Sequence, residues 1–87
     1  MGEHFTMWIK RECPFCVNAR DELFRQRANH TIYIVDDNPE ELDRVKEKWN
    51  HKTVPIIVRS EDAIDGPAML IGGYSDLKEY FDGREND

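Results

Sequence analysis

The sequence predicts an α/β fold with the element order β-α-β-α-β-β-α. Short runs of β-branched and aromatic residues alternate with amphipathic stretches that have helical spacing. The only two cysteines, Cys13 and Cys16, follow the first predicted strand and are separated by two residues. A length of 87 residues suffices for one modest core, so we expect residues 1–87 to form a single domain.

The first strand and the first helix follow from apolar spacing. His4–Ile9 has the mostly apolar pattern of a buried strand. From Phe15 to about Arg27 the spacing predicts a helix whose buried stripe is Cys16, Ala19 and Leu23, widened by Phe24. Residues 28–30 end this helix.

The second strand is predicted over Thr31–Val35, which is rich in β-branched and aromatic residues. It is apolar on both sides, which is typical of a parallel strand covered on both faces. Because a helix links it to the first strand, we expect the two to be parallel, with a right-handed crossover.

A second helix begins after Asn38, which is placed as the N-cap with Pro39 in the first helical position. Glu41 completes a pattern similar to a capping box. The apolar stripe of this helix is Leu42, Val45 and Trp49. Glu40 and Arg44 are spaced to pair on the exposed side, and residues 50–52 end the helix.

The last part of the chain predicts a hairpin and a helix. Pro55–Arg59 and Ala68–Ile71 are its strands, joined by a polar turn over Ser60–Pro67 that is tightest at Asp65-Gly66. After Gly72-Gly73, Ser75 is predicted to cap a third helix that Gly83 closes. Its inward residues are predicted to be Leu77, Tyr80 and Phe81, and residues 82–87 to form a frayed tail.

Charge and hydropathy exclude several classes of function. The net charge of −6 argues against a nucleic-acid binder, and no apolar run is long enough to span a membrane. Residues 1–27, which contain the cysteines, hold five basic and four acidic residues and are the least acidic part of the chain, which suits an anionic small substrate. No signal peptide is apparent, so we expect a cytoplasmic location.

The Cys13-Pro14-Phe15-Cys16 segment predicts a dithiol redox site. Pro14 fits the first turn of a helix, which places Cys13 at the helix N-terminus, where unpaired N–H groups favour a thiolate. Lys10 and Arg11 add positive charge. We therefore expect Cys13 to attack and Cys16 to resolve.

Two alternatives to a redox site remain open. The cysteines could be half of a zinc site completed by histidines, but the three histidines lack the spacing of metal ligands: His4, His30 and His51. They could instead form a structural disulfide, although so short a loop removes little entropy from the unfolded chain.

Several motifs together resemble those of the glutaredoxins, from about Phe5 to Phe81. They are Lys10, Cys13-Pro14-Phe15-Cys16, Thr53-Val54-Pro55 and Gly72-Gly73-Tyr74-Ser75-Asp76. The resemblance implies the thioredoxin fold, with a four-stranded mixed sheet flanked by three helices and with helices on both of its faces. It also implies a cis Val54–Pro55 bond.

The resemblance implies a glutathione site as well. Phe15 would form an aromatic wall, Thr53-Val54-Pro55 would present the Val54 backbone to the peptide, and Gly73 would allow close approach. The Ser75 N–H would bind the γ-glutamyl carboxylate and Asp76 its ammonium group. Lys10 would hold the glycyl carboxylate, assisted by Lys52.

The function implied is a glutathione-dependent thiol–disulfide oxidoreductase that acts as a monomer without a bound metal or organic cofactor. Its partners would be glutathione as co-substrate and disulfide-containing proteins, with ribonucleotide reductase suggested by the family likeness. One alternative is a thioredoxin-like protein reduced by a flavoprotein reductase. Another is a dimer that holds a [2Fe–2S] cluster through Cys13 and two glutathiones.

Overall fold

The structure is a computed structural model that describes residues 2–61 and 67–85. Over these residues the elements occur in the predicted order. The strands are β1 (His4–Ile9), β2 (Asn29–Ile34), β3 (Ile56–Ser60) and β4 (Ala68–Gly72), and the helices are α1 (Pro14–Arg25), α2 (Pro39–Trp49) and α3 (Tyr74–Glu85). The predicted tight turn at Asp65-Gly66 lies outside the described residues.

The strands form a mixed sheet in the order β2-β1-β3-β4. β1 and β2 run parallel, with Phe5 opposite His30 and Ile9 opposite Ile34. β3 is antiparallel to both β1 and β4, so the predicted hairpin is confirmed. β1 and β2 run in the same direction. The segments that follow them, which lead into α1 and α2, therefore leave the sheet at the same end, where both strands finish.

The core has one layer on each side of the sheet. On one side, alternate residues of β1 and Ile57 pack against α1 and α3 through Cys16, Leu23, Leu77 and Phe81. On the other, Trp8 and the neighbouring strand residues pack against Leu42 and Val45 of α2. The helices therefore cover both faces, as the thioredoxin fold requires, and the predicted inward positions of α1 and α3 hold except for Phe24.

The second strand differs from the prediction in bounds and in burial. It spans Asn29–Ile34, not Thr31–Val35, and Tyr33 and Ile34 are 48% and 52% exposed. The reason is its position, since β2 lies at the edge of the sheet and pairs with β1 alone. An apolar run on both faces was therefore a misleading sign of burial.

Helix α1 ends at Arg25, two residues earlier than predicted, because Arg27 adopts a left-handed backbone conformation with φ 54°. The Ala28 N–H donates to the Leu23 carbonyl and the Arg27 N–H donates to that of Phe24, as in a Schellman motif. Phe24 does not widen the buried stripe: its side chain is 73% exposed. Glu22 occupies the buried face instead.

Helix α2 confirms the Asn38 cap, whose side chain accepts from the Glu41 N–H at 3.2 Å. The predicted Glu40–Arg44 pair is wrong, since Arg44 binds Glu41 through two hydrogen bonds of 2.9 and 2.8 Å. Glu41 also accepts from the Trp8 indole at 3.0 Å. These partners turn the carboxylate toward the sheet and lower the pKa of Glu41, with the Arg44 hydrogen bond as the largest cause.

The predicted Ser75 cap of helix α3 is wrong: the helix begins at Tyr74, two residues earlier than that cap implies, and it ends later than the sequence predicted. The Leu77 N–H donates to the Gly73 carbonyl at 3.0 Å, so Gly73 precedes the helix and Ser75 lies in its first turn. The helix passes Gly83 and reaches Glu85, which overturns the predicted frayed tail for 82–85. Its last turn is held by Arg84, which binds Glu3 beside β1. Asn86 and Asp87 lie outside the described residues.

Candidate active site

Cys13 and Cys16 form a disulfide at the start of α1, with their Cα atoms 5.1 Å apart. Cys13 is the N-cap residue in extended conformation, and its Sγ accepts the Cys16 backbone N–H at 3.2 Å. Pro14 fills the first helical position, as predicted. Cys16 is fully buried in the core while Cys13 is half-buried, so only the first sulfur lies near the surface.

The two basic residues that precede the disulfide, Lys10 and Arg11, differ in their contacts. The Arg11 guanidinium binds Asp37 at 3.3 Å, and its backbone N–H donates to Asp36 at 2.9 Å. Arg11 therefore joins β1 to the segment after β2, and its charge is partly offset by two carboxylates. Lys10 is exposed and forms no ion pair with a described residue, which leaves its ammonium group available to a ligand.

A cavity of about 190 Å³ opens beside the disulfide. Phe15, from between the two cysteines, forms one wall, and Thr53, Val54 and Pro55 form a second. The Val54–Pro55 bond is cis, in agreement with the resemblance. The side of α3 completes the lining through Gly73, Tyr74 and Ser75. Six residues of the expected glutathione site therefore lie around one space.

The two glycines before α3 both lie close to the Asp76 carboxylate. The Gly73 N–H donates to Asp76 Oδ2 at 2.9 Å. Gly72 has φ 122°, and a Cβ at this position would overlap the Asp76 carboxylate. One carboxylate oxygen thus holds the turn, while the other accepts from no described residue. The N–H groups of the first turn of α3 face outward from the helix end beside the cavity.

Three expected site residues stand outside the cavity lining. Asp76 is one residue beyond it, joined to it through Gly73. Lys10 and Lys52 are exposed and belong to the segments that precede the cavity residues Phe15 and Thr53. Tyr74 is the residue that sequence reasoning missed. An aromatic residue directly after two glycines at a helix start was the signal that it could line a ligand site.

The described residues contain no group of three or more His, Cys, Asp and Glu side chains that could hold a metal ion. His4 bonds Thr31 at 2.8 Å, and His30 bonds the Ala28 carbonyl at 2.8 Å. Both histidines lie in the first half of their strands, whereas the cysteines follow the other end of β1. None of the described helices is long and apolar enough to cross a membrane.

A mixed sheet covered by helices on both faces, with a Cys-x-x-Cys disulfide capping the first helix, defines a thioredoxin-like dithiol protein. The family model for glutaredoxin matches residues 5–64, and the chain therefore belongs to the glutaredoxin family. Family membership and the dithiol together make the protein a thiol–disulfide oxidoreductase.

Curated relatives agree with this family. Glutaredoxin-1 of Ectromelia virus (strain Moscow) is 39% identical over 80 residues, covering 85% of this chain and 68% of the relative. Glutaredoxin-1 of Vaccinia virus (strain Copenhagen) is 38% identical with the same coverage, 85% of this chain and 68% of the relative.

Solved structures agree with the fold. The solution structure of a glutaredoxin from Brucella melitensis superposes with a TM-score of 0.69 at 22% identity, covering 92% of this chain and 79% of that one. Glutaredoxin 1 from Francisella tularensis, crystallised with cacodylate, gives a TM-score of 0.63 at 20% identity, covering 98% and 99%. Identities this low show the fold alone.

Proposed function

We propose that the protein is a glutathione-dependent oxidoreductase that reduces glutathione mixed disulfides and protein disulfides. The Cys13 thiolate attacks the glutathione sulfur of a mixed disulfide, which forms a Cys13–glutathione bond and releases the protein thiolate. A second glutathione thiolate then attacks this bond, releasing oxidised glutathione and restoring the Cys13 thiolate. For a protein disulfide, Cys16 resolves the intermediate and leaves the Cys13–Cys16 disulfide, which two glutathiones reduce.

The roles of the cysteines rest on their burial. Cys13 lies near the surface, whereas Cys16 is buried. A negative sulfur at Cys13 is favoured because the Cys16 N–H points at it and because it caps the N-terminus of α1. Cys16 reaches the Cys13 sulfur without leaving its helix, as a resolving thiol must.

The observation that carries glutathione dependence is the cavity between Phe15, the Thr53–Pro55 segment and the start of α3. A tripeptide on Cys13 would lie along the Val54 backbone. Its γ-glutamyl carboxylate would meet the Ser75 N–H at the N-terminus of α3, where the helix dipole favours an anion. The free oxygen of Asp76 would accept the neighbouring ammonium group.

The two lysines supply the remaining contact. Neither Lys10 nor Lys52 has an ion-pair partner among residues 2–61 and 67–85, and each belongs to a segment that borders the cavity. Lys10 would bind the glycyl carboxylate with assistance from Lys52. The glycyl carboxylate would thus lie near lysine side chains, the γ-glutamyl carboxylate at the N-terminus of α3, and the ammonium group near the Asp76 carboxylate.

The proposal includes a cytoplasmic setting and a monomeric enzyme. Glutathione can serve as electron donor only where a reducing pool maintains it. Both redox cysteines and all proposed glutathione contacts come from one chain, so catalysis requires no second copy. Ribonucleotide reductase, suggested by family likeness, is a protein substrate to test.

A coupled assay tests the electron donor. The protein is given a glutathione mixed disulfide, with NADPH and either glutathione plus glutathione reductase or a thioredoxin reductase. We expect turnover only with the glutathione system. Turnover with thioredoxin reductase alone would instead support the thioredoxin-like alternative. An absorbance spectrum of freshly purified protein checks the cluster-binding alternative, and we expect no visible band.

A further inference from the structure

A second cavity lies at the end of the sheet opposite the disulfide. It has a volume of about 350 Å³ and opens between the end of α1, the start of β2 and the end of α3. Glu3, which directly precedes β1, and Asn29, the first residue of β2, also line it. Six residues of β1 separate this cavity from the active-site end, a distance of roughly 20 Å.

The cavity has a fixed cation on its α3 side. Arg84 binds Glu3 through Nη1 and lies over the Tyr80 ring, 5.5 Å from its centroid. Glu3 is also bound by Arg59 at 2.6 Å and by the Tyr80 hydroxyl at 2.8 Å, so its charge is fully engaged. A guanidinium has five N–H donors, and within the described part of the chain Glu3 is the acceptor recorded for those of Arg84, which leaves others available to a ligand.

A second cation stands on the α1 side. Arg27 lines the cavity, is exposed and has no ion-pair partner among the described residues. Its backbone has φ 54°, a conformation in which glycine is the usual residue at the end of a helix. Glycine would adopt this conformation with less strain, whereas Arg27 places a guanidinium at the cavity.

We propose that this cavity binds a small organic anion, whose phosphate or carboxylate group lies between Arg27 and Arg84. Two guanidiniums against one neutralised carboxylate make the site positive in a chain whose net charge is −6. Planar guanidiniums suit the oxygens of either anion. Buried Phe81 and half-buried Ala28 provide an apolar floor for the body of the ligand. This site is independent of the disulfide chemistry.

The test is a titration of the ¹⁵N-labelled oxidised protein followed by amide chemical shifts. Phenyl phosphate, benzoate and uncharged benzyl alcohol are the probes, since they share a ring and differ in charge. We expect saturable shifts at residues 26–29 and 81–84 with the anions, and stronger binding at low salt. Tighter binding of phenyl phosphate assigns a phosphate ligand, and tighter binding of benzoate assigns a carboxylate.

Two variants at one position separate binding from folding. Arg27→Gln should weaken anion binding at least tenfold. Arg27→Gly should weaken it equally while the thermal midpoint stays the same or rises, because glycine relaxes the left-handed conformation. Arg44→Gln, the same change on α2, should leave binding unchanged. Absence of saturable shifts at the cavity, anion binding by either Arg27 variant as tight as that of the unchanged protein, or tightest binding of benzyl alcohol would each overturn the proposal.

Discussion

The backbone N–H of Cys16 points at the sulfur of Cys13 across 3.2 Å. This contact gives the two cysteines of one short segment different environments. The sulfur that accepts the N–H also lies nearer the surface, while the sulfur of Cys16 is enclosed by the core. We expect this asymmetry to decide which cysteine attacks.

Cys13→Ser should abolish all disulfide reduction because it removes the stabilised thiolate. Cys16→Ser should keep the reduction of glutathione mixed disulfides, where glutathione itself can resolve the intermediate, and should lose reduction of protein disulfides. Steady-state rates with one substrate of each kind measure this. An inactive Cys16→Ser beside an active Cys13→Ser would reverse the assigned roles.

Lys10→Glu should lower kcat/KM for glutathione-dependent turnover while leaving the thermal midpoint nearly unchanged. The change replaces an attraction to the glycyl carboxylate by a repulsion at an exposed position. High salt should reduce this loss, because screening weakens both the original attraction and the new repulsion. Arg20→Glu, on the exposed face of α1, is the matched charge reversal and should have a smaller effect. An equal loss with an uncharged dithiol substrate would argue against a glutathione contact.

Asp76→Ala should raise KM for glutathione mixed disulfides with little change in kcat, since it removes the partner of the ammonium group and leaves the thiols intact. It should also lower stability by about 1 kcal/mol, because the Gly73 N–H loses its acceptor. Asp82→Ala, further along the same helix, is the control and should keep the original KM. Unchanged kinetics in Asp76→Ala would favour a protein that does not bind the tripeptide.

The glutathione adduct itself can be trapped on Cys16→Ser with oxidised glutathione. In a crystal structure of this adduct, we expect the cysteinyl backbone to pair with Val54 and the γ-glutamyl carboxylate to lie at Ser75. Lys10 should approach the glycyl end. A tripeptide that is disordered beyond its sulfur would contradict the proposed site.

Glu3 should contribute stability that is lost in acid. Burial raises the pKa of Glu3, but hydrogen bonds from Arg84, Arg59 and Tyr80 outweigh it and leave the pKa below its usual 4.5. The unfolded chain therefore binds the proton more readily. The contribution is complete above about pH 4.5 and disappears as the pH falls through the folded pKa.

Urea unfolding of Glu3→Gln at several pH values measures this contribution. We expect a loss of about 1–3 kcal/mol at pH 7 that shrinks toward pH 3. Exposed Glu79→Gln on α3 is the control and should change stability by only about 0.5 kcal/mol. A loss in Glu3→Gln that stays constant across this range would show that packing, and not charge, accounts for it.

Local sequence signals determined much of this protein. Apolar spacing located the seven elements, Asn38 and Pro14 marked the starts of two helices, and Asn50 ended one. The local backbone structure around Cys13, Pro55 and Gly73 could also be predicted from the sequence, because caps, prolines and glycines act on neighbouring backbone within a few residues. Motifs that surround one cavity could therefore be named before their arrangement was known.

Tertiary structure alone decided which distant residues meet. The sheet order left β2 at an edge, which exposed Tyr33 and Ile34 in a run that resembles a covered strand. The Glu41 carboxylate of α2 accepts a hydrogen bond from the Trp8 indole of β1. Arg84 in the last turn of α3 binds Glu3 from the other end of the chain. Such pairs depend on how strands and helices stack, whereas periodicity reports only which face of each element is apolar.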